Sequence, residues 1–368
     1  NGKVAMIAGV ISAIGYIGFT SSQLLAGAKL ASATFAEIDM TTALIIMGVV
    51  AVVYTGIGGL KAVIYTDTIQ WLILMCGLVL IGIPIAYSAI GGMDVIRATI
   101  GKEFLSMTNV TWQQLVNWGV TIIPIWFVGM TLYQRIYASK NKKQAQRAWF
   151  IAGLFEWPLM ALMGTVLGMF ARVAFENGMF TAAGYPPGAG IDSETALPVL
   201  LNTVLPAGLM GLMLAAYFSA ILSTADSCLM AASGNVQTDI LDRIFKPAKG
   251  MKAQLRISQI ITLAIGVLAL VLAHSMSNVL ELMLYSYAFM VSGLFVPILA
   301  ALYTRKPNAA AALPAMIAGG STTILLILLK VPLPFGLNEN IFGITVSAVI
   351  YILIYIFTGK SKPILSNP

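Results

Sequence analysis

Ten stretches of the chain are apolar and long enough to cross a lipid bilayer, and that removes most folds from consideration. They are residues 4–30, 42–58, 66–90, 116–137, 145–171, 204–234, 258–274, 279–303, 309–329 and 341–358. A hydrocarbon core about 30 Å thick takes about 20 helical residues. Lipid offers no partner to backbone N–H and C=O groups, so a chain spans it as helices or as a closed barrel. These runs are too long for barrel strands and lack two-residue alternation. The expected class is all-α: a polytopic membrane protein with ten membrane helices. Composition agrees. Of 368 residues, 59% are hydrophobic and 10% charged, where a soluble domain carries about 25% charge. A water-soluble globule, a disordered chain and a disulfide-stapled secreted domain are excluded. Cys76 and Cys228 lie inside apolar runs and read as small buried hydrophobes.

The sequence opens at Asn1 with no signal peptide ahead of the first apolar run, and reads as a piece of a longer chain. If odd-numbered spans run from inside to outside, one set of loops holds sixteen of the 21 basic residues, among them Lys3, Lys61, Arg135, Lys140, Arg243, Lys246, Lys249, Arg305, Lys306, Lys360 and Lys362. The other set holds Lys29, Arg97, Lys102, Arg172 and Lys330, together with acids such as Glu37, Asp39, Asp192, Glu194 and Glu339. Basic loops stay on the cytoplasmic side, which places both ends of the sequence inside. The net charge of +7 then reports orientation, with no nucleic acid implied. The longest outer loop, about 176–203, has room for a short helix. An Asn109-Val110-Thr111 glycosylation sequon falls on another outer loop.

Carboxylates inside a membrane are costly and need a reason. Three fall inside spans: Asp67, Glu156 and Asp226. On a helix, Ala220, Ser223, Thr224 and Ser227 share one stripe, with Asp226 beside it. Hydroxyl, carboxylate and carbonyl oxygens suit a hard cation such as Na⁺. The competing reading is a small-residue packing face whose hydroxyls bond back to their own helix. Asp67 opens the third span, where it either caps a helix start or faces an ion at the depth of Asp226. Glu156, in Phe155-Glu156-Trp157-Pro158, is either protonated and hydrogen-bonded or part of a cavity wall. His274 sits at an outer helix end and reads as interfacial. In the fourth span, Pro124 and Gly129 either break the helix near mid-membrane, as in many secondary transporters, or merely kink it. The sequence has no His/Cys metal cluster, phosphate-cradling loop or nucleophile–base pair, so it gives an enzyme no support.

Three stretches carry a family resemblance. Gly58-Gly59-Leu60-Lys61-Ala62 is followed by Tyr65-Thr66-Asp67-Thr68-Ile69-Gln70. Tyr133-Gln134-Arg135-Ile136-Tyr137-Ala138-Ser139-Lys140 comes next, and residues 220–227 last. In this order across ten spans they resemble the sodium:solute symporter family, whose members import sugars, proline, pantothenate, choline, sialic acid and other small solutes. The resemblance implies an inverted-repeat, five-plus-five transporter core. Residues 1–92 would be the remainder of the first repeat, 113–303 the second repeat, and 309–358 two peripheral helices. The first two core helices would be lacking. The resemblance also implies a main sodium site from the Ala220 carbonyl and the Ser223 and Thr224 hydroxyls. A second would come from Asp67, Ser223, Asp226 and Ser227. Asp226 departs from the family pattern, where members with that second site often have Ser. It would ligate a second Na⁺ or carry a proton.

The same resemblance points to Trp126, Gly129, Met130 and Phe289 as solute-lining residues. Choline would need an aromatic cage, and the matching positions read Gly18 and Gly129, against choline itself. Sugars would need amides, and the matching stretch reads Gly129-Met130-Thr131. A smaller or less hydroxylated solute fits better. The expected function is a Na⁺-coupled symporter that imports a small organic solute by alternating access. One or two Na⁺ would be the coupling ions, and the lipid bilayer the setting. The alternatives are a solute-sensing membrane domain of a signalling protein, without net transport, and a channel without coupling.

Overall fold

The computed structural model describes residues 1–35, 37–106, 108–245, 250–304 and 307–358, and within them every side chain except those of residues 57–63, 65, 66, 157 and 158. The Gly58-Gly59 motif, Tyr65, Thr66, Trp157, Pro158, Lys246, Lys249, Arg305, Lys306, Lys360 and Lys362 therefore lie outside what is described. The order is α1 (Gly2–Thr34), α2 (Met40–Cys76), α3 (Ile83–Ala89), α4 (Gly92–Thr99), α5 (Trp112–Val128), α6 (Met130–Tyr137), α7 (Lys142–Phe155), α8 (Ala161–Glu176), α9 (Ala196–Val204), α10 (Ala207–Gly234), α11 (Asp242–Ile244), α12 (Met251–His274), α13 (Val279–Tyr303), α14 (Ala309–Leu329) and α15 (Glu339–Thr358). There is no strand among the described residues. Eight helical runs among them are long and apolar enough to cross a membrane, and Met40–Gly56 is a shorter apolar helix. The predicted fifth span is α7 and α8, joined through a wide π turn at Glu156–Met160.

α1 packs against α2, α10, α12 and α13. A helix apolar on all sides belongs in an interior, and α1 buries Ile11, Tyr16, Leu24, Leu25 and Ala28. Two glycines let α13 come close: a Cβ at Gly15 would overlap Met290, and one at Gly18 would overlap the Ser286 hydroxyl. Buried hydroxyls on α1 turn back on their own helix, Thr20 to the Tyr16 carbonyl at 2.8 Å and Ser21 to the Ile17 carbonyl at 2.7 Å. Large apolar side chains such as Ile45, Val49, Leu268, Ile352 and Ile356 are exposed, as a surface that meets lipid requires. α14 and α15 pack together against α13. Buried polar contacts fix them: Thr323 Oγ1 donates to Ser292 Oγ at 2.7 Å, and Asn340 Nδ2 to Thr121 Oγ1 of α5 at 2.9 Å.

The connection between α8 and α10 holds the expected short helix, α9. Lys29, which the sequence places among the outer-loop charges, is instead buried near the end of α1. It pairs with Asp192 and Glu194, each at 2.6 Å. Glu194 also accepts the N–H groups of Val279 and Leu280, each at 3.0 Å. These open α13, where the helix dipole favours an anion. Burial works against ionising Glu194, but Lys29 and the two amides prevail and hold its carboxyl below the usual range. Asp192 is likewise held low: burial is outweighed by Lys29 and by the Glu194 amide.

Candidate ion and solute site

The fourth predicted span is broken. α5 ends at Val128 and α6 begins at Met130, while Gly129 takes φ −68° and ψ 106° and leaves the helix between them. Pro124 stays inside α5, so the interruption belongs to Gly129. A broken helix exposes N–H and C=O groups that need partners. Here side chains supply them. The Thr131 N–H donates to the Tyr16 hydroxyl at 3.0 Å, and the Tyr133 hydroxyl donates to the Phe127 carbonyl at 2.8 Å.

α10 faces the break. The Ala220 carbonyl accepts from both Ser223 Oγ and Thr224 Oγ1, each at 3.2 Å. Ser227 Oγ donates to the Ser223 carbonyl at 2.9 Å. Ser223, Thr224 and Ser227 line a cavity of about 480 Å³ together with Trp126, Arg135 and Glu156. Glu156 thus belongs to the cavity wall, the second of the two readings its sequence allows. Of the four expected solute-lining residues, Trp126 is on that wall. Gly129 is the break itself, Met130 packs into the main apolar cluster and Phe289 is buried on α13. Three wall aromatics escaped sequence reasoning. Phe19 and Tyr287 lie with ring centres 4.9 Å apart, and Trp149 meets Trp126 edge-on at 5.8 Å.

The two acids behave differently from the sequence expectation. Asp67 is not a helix cap, since Asp39 caps α2. Its Oδ2 accepts from Arg135 Nη2 at 2.9 Å, and its Oδ1 is buried without a hydrogen-bond partner among the described residues. Asp226 is fully buried. Its Oδ1 accepts from the Thr55 hydroxyl at 2.6 Å, and its Oδ2 has no partner among the described residues. Arg135, counted in the sequence as an orienting loop charge, bridges the site. The same Nη2 donates to Ser227 Oγ at 2.7 Å, while Nη1 donates to the Thr131 carbonyl at 3.1 Å. The structure therefore joins Asp67 to Ser227 through Arg135, and places Asp226 on the same turn of α10 with its own partner, Thr55. The signal was available: a carboxylate inside a membrane needs a countercharge, and Arg135 is the basic residue closest to the broken helix.

A bundle of membrane helices with one helix broken beside a polar cavity is the architecture of a secondary transporter. The chain belongs to the sodium:solute symporter family, whose profile matches residues 2–319. It is 25% identical over 364 residues to an osmoregulated proline transporter of Bacillus subtilis, covering 96% of this chain and 71% of that one. It is 26% identical over 246 residues to a sodium/sialic acid symporter of Proteus mirabilis, covering 65% of this chain and 49% of the relative. Its fold is that of a Na⁺-coupled sialic acid symporter solved in a substrate-bound, outward-open state. The TM-score is 0.73 at 21% identity, over 97% of this chain and 75% of that one. These relatives are integral membrane transporters, and sodium is the family's coupling ion.

Proposed function

We propose that the protein is a Na⁺-coupled symporter that imports a small organic solute by alternating access. The observation that carries this reading is the pair of α10 hydroxyls, Ser223 and Thr224, on the wall of a cavity beside a broken helix, both turned to the Ala220 carbonyl. Ligands about 2.4 Å from one hard cation, at right angles to each other, lie about 3.4 Å apart. The Ala220 carbonyl stands 3.2 Å from both the Ser223 and Thr224 hydroxyls. A bound Na⁺ would take over the carbonyl that those hydroxyl protons now share. A second cation position would be built from Asp67, Ser223, Asp226 and Ser227. Trp126 would contact the solute, beside the broken backbone of Gly129 and Met130, with Phe289 in the packing behind. Each Na⁺ that enters contributes about 2.3 kcal/mol per 100 mV of membrane potential and about 1.4 kcal/mol per tenfold gradient.

In this reading the chain contributes ten membrane helices to a five-plus-five inverted-repeat core. Residues 1–92 are the last three helices of the first repeat, 113–303 the second repeat, and 309–358 two peripheral helices. The basic loops and the C-terminal end are cytoplasmic. Cysteines placed at Asn141 and Lys249 should then react with an impermeant thiol reagent only from inside, and those at Lys102 and Asn338 only from outside. Labelling of Lys249→Cys in intact cells would overturn the orientation.

The functional test is uptake by the full-length protein in sealed vesicles, against a panel of small organic solutes, with and without a Na⁺ gradient. A fixed ratio of Na⁺ to solute entry supports the symporter. Solute binding without flux, or Na⁺ flux unlinked to any solute, contradicts it.

A further inference from the structure

The second cation position already holds a cation, and it belongs to the protein. We infer that the Arg135 guanidinium is a tethered competitor for that position, so that a second Na⁺ binds only when α6 carries Arg135 away. The inference rests on the assignment of Asp67 and Ser227 to the second cation position.

Three observations support it. First, one nitrogen, Nη2, donates to both Asp67 Oδ2 at 2.9 Å and Ser227 Oγ at 2.7 Å. Those are two of the oxygens a cation there would use, and they come from different helices, α2 and α10. A positively charged N–H donor set between a carboxylate and a hydroxyl does a metal ion's electrostatic work at slightly longer distance. Two cations cannot share those oxygens, since like charges a few ångströms apart repel strongly where water is scarce. Second, the guanidinium is held in place. Its Nη1 bonds the Thr131 carbonyl one turn back at 3.1 Å, so Arg135 points into the site from a fixed start. Third, one guanidinium leaves the site under-coordinated. Asp67 Oδ1 and Asp226 Oδ2 are buried with no hydrogen-bond partner among the described residues, although buried acceptors are nearly always paired. Arg135 pairs with Asp67 and Asp226 with Thr55 alone, so each carboxylate keeps acceptor capacity for an ion that binds several oxygens at once.

Arg135 follows the break at Gly129, on the short helix α6. Any movement of α6 relative to α10 therefore moves the guanidinium relative to the Ser227 hydroxyl. Arg135 is thus a positioning residue for ion count, and touches the solute path only as part of the cavity wall.

The experiment is equilibrium binding of radioactive sodium to the purified full-length protein, with N-methylglucamine holding ionic strength constant. Wild type should show one ion bound in the lower concentration range and a second only at much higher Na⁺. Arg135→Gln should lower the midpoint of the second ion at least tenfold, giving two ions per protein where wild type has one. Arg135→Met, neutral and of similar reach, gives the same reading should the glutamine variant not fold. Arg135→Lys keeps a tethered cation and should keep the wild-type count. Adding Asp67→Asn to Arg135→Gln should remove the gained ion. A folded, monodisperse neutral variant with the wild-type count and midpoints, or one that loses Na⁺ altogether, overturns the inference. So does a second ion gained equally by Arg135→Lys. If wild type binds no Na⁺, or binds it unchanged after Ser223→Ala and Thr224→Ala, the parent reading of the site fails instead.

Discussion

Two clusters in this molecule each pair a basic side chain with acid, and they are finished to different degrees. At one end, Lys29 meets Asp192 and Glu194, and every partner of Glu194 is in place: the ammonium and two helix-opening amides. At the other, Arg135 meets Asp67 while Asp226 takes Thr55, and one buried oxygen of each carboxylate has no partner among the described residues. A saturated cluster holds three elements in one arrangement, here α1, the α8–α10 connection and α13. An unsaturated one leaves acceptors free for a mobile ion. The contrast separates a clamp from a candidate binding site with the same kinds of residue.

The largest expected effect lies in the clamp. Lys29→Met leaves Glu194 partly buried without its main countercharge, and should cost about 2–3 kcal/mol. The estimate is reduced from a fully buried pair because Asp192 is half-exposed. Thermal melting in detergent measures it. The pH dependence has a definite sign. Both carboxyls are held below their usual ranges, so their contribution is present above about pH 4. It is lost as pH falls through the lowered native values. The gap between wild type and Lys29→Met should be full at pH 7 and narrow in acid. An equal gap at both pH values would break the assignment.

Next comes Thr55→Val, which removes the one donor that Asp226 has among the described residues. An unsatisfied buried acceptor costs about 1–3 kcal/mol, and about 2 is expected by the same melting assay. No loss would mean that another donor serves Asp226. The smallest effect belongs to Asp226→Asn. The amide keeps an oxygen for Thr55, so stability should change by less than about 1 kcal/mol, while the Na⁺ dependence of uptake shifts. A large loss of stability would place Asp226 with the clamp as a purely structural group.

That the chain folds as long apolar helices was legible because apolar length is a local property, and eight such runs stand among the described residues; the boundary expected between the second and third spans was not, since Met40–Cys76 is one helix. The α10 stripe was legible for the same reason, since Ala220, Ser223, Thr224 and Ser227 repeat with the helix. The break at Gly129 was half legible. Sequence offered both Pro124 and Gly129, and only the tyrosines that satisfy the freed backbone decide between them. The pairings were hidden. Arg135 finds Asp67 at a separation of 68 residues, Thr55 finds Asp226 at 171, and Lys29 finds Asp192 at 163. Counting charges by loop treats Arg135 and Lys29 as solvated, whereas the folded bundle uses them against acids. Resemblance pointed Phe289 and Met130 at solute; Phe289 is buried on α13, and Met130 packs partly buried against the main apolar cluster.

The central claim is that α10 carries the sodium site, and sodium binding tests it most directly. With purified full-length protein, Ser223→Ala and Thr224→Ala each remove one oxygen without adding bulk. Each should raise the Na⁺ concentration for half-saturation by about tenfold, a loss of about 1.4 kcal/mol. Half-saturation unchanged in both variants would contradict the account.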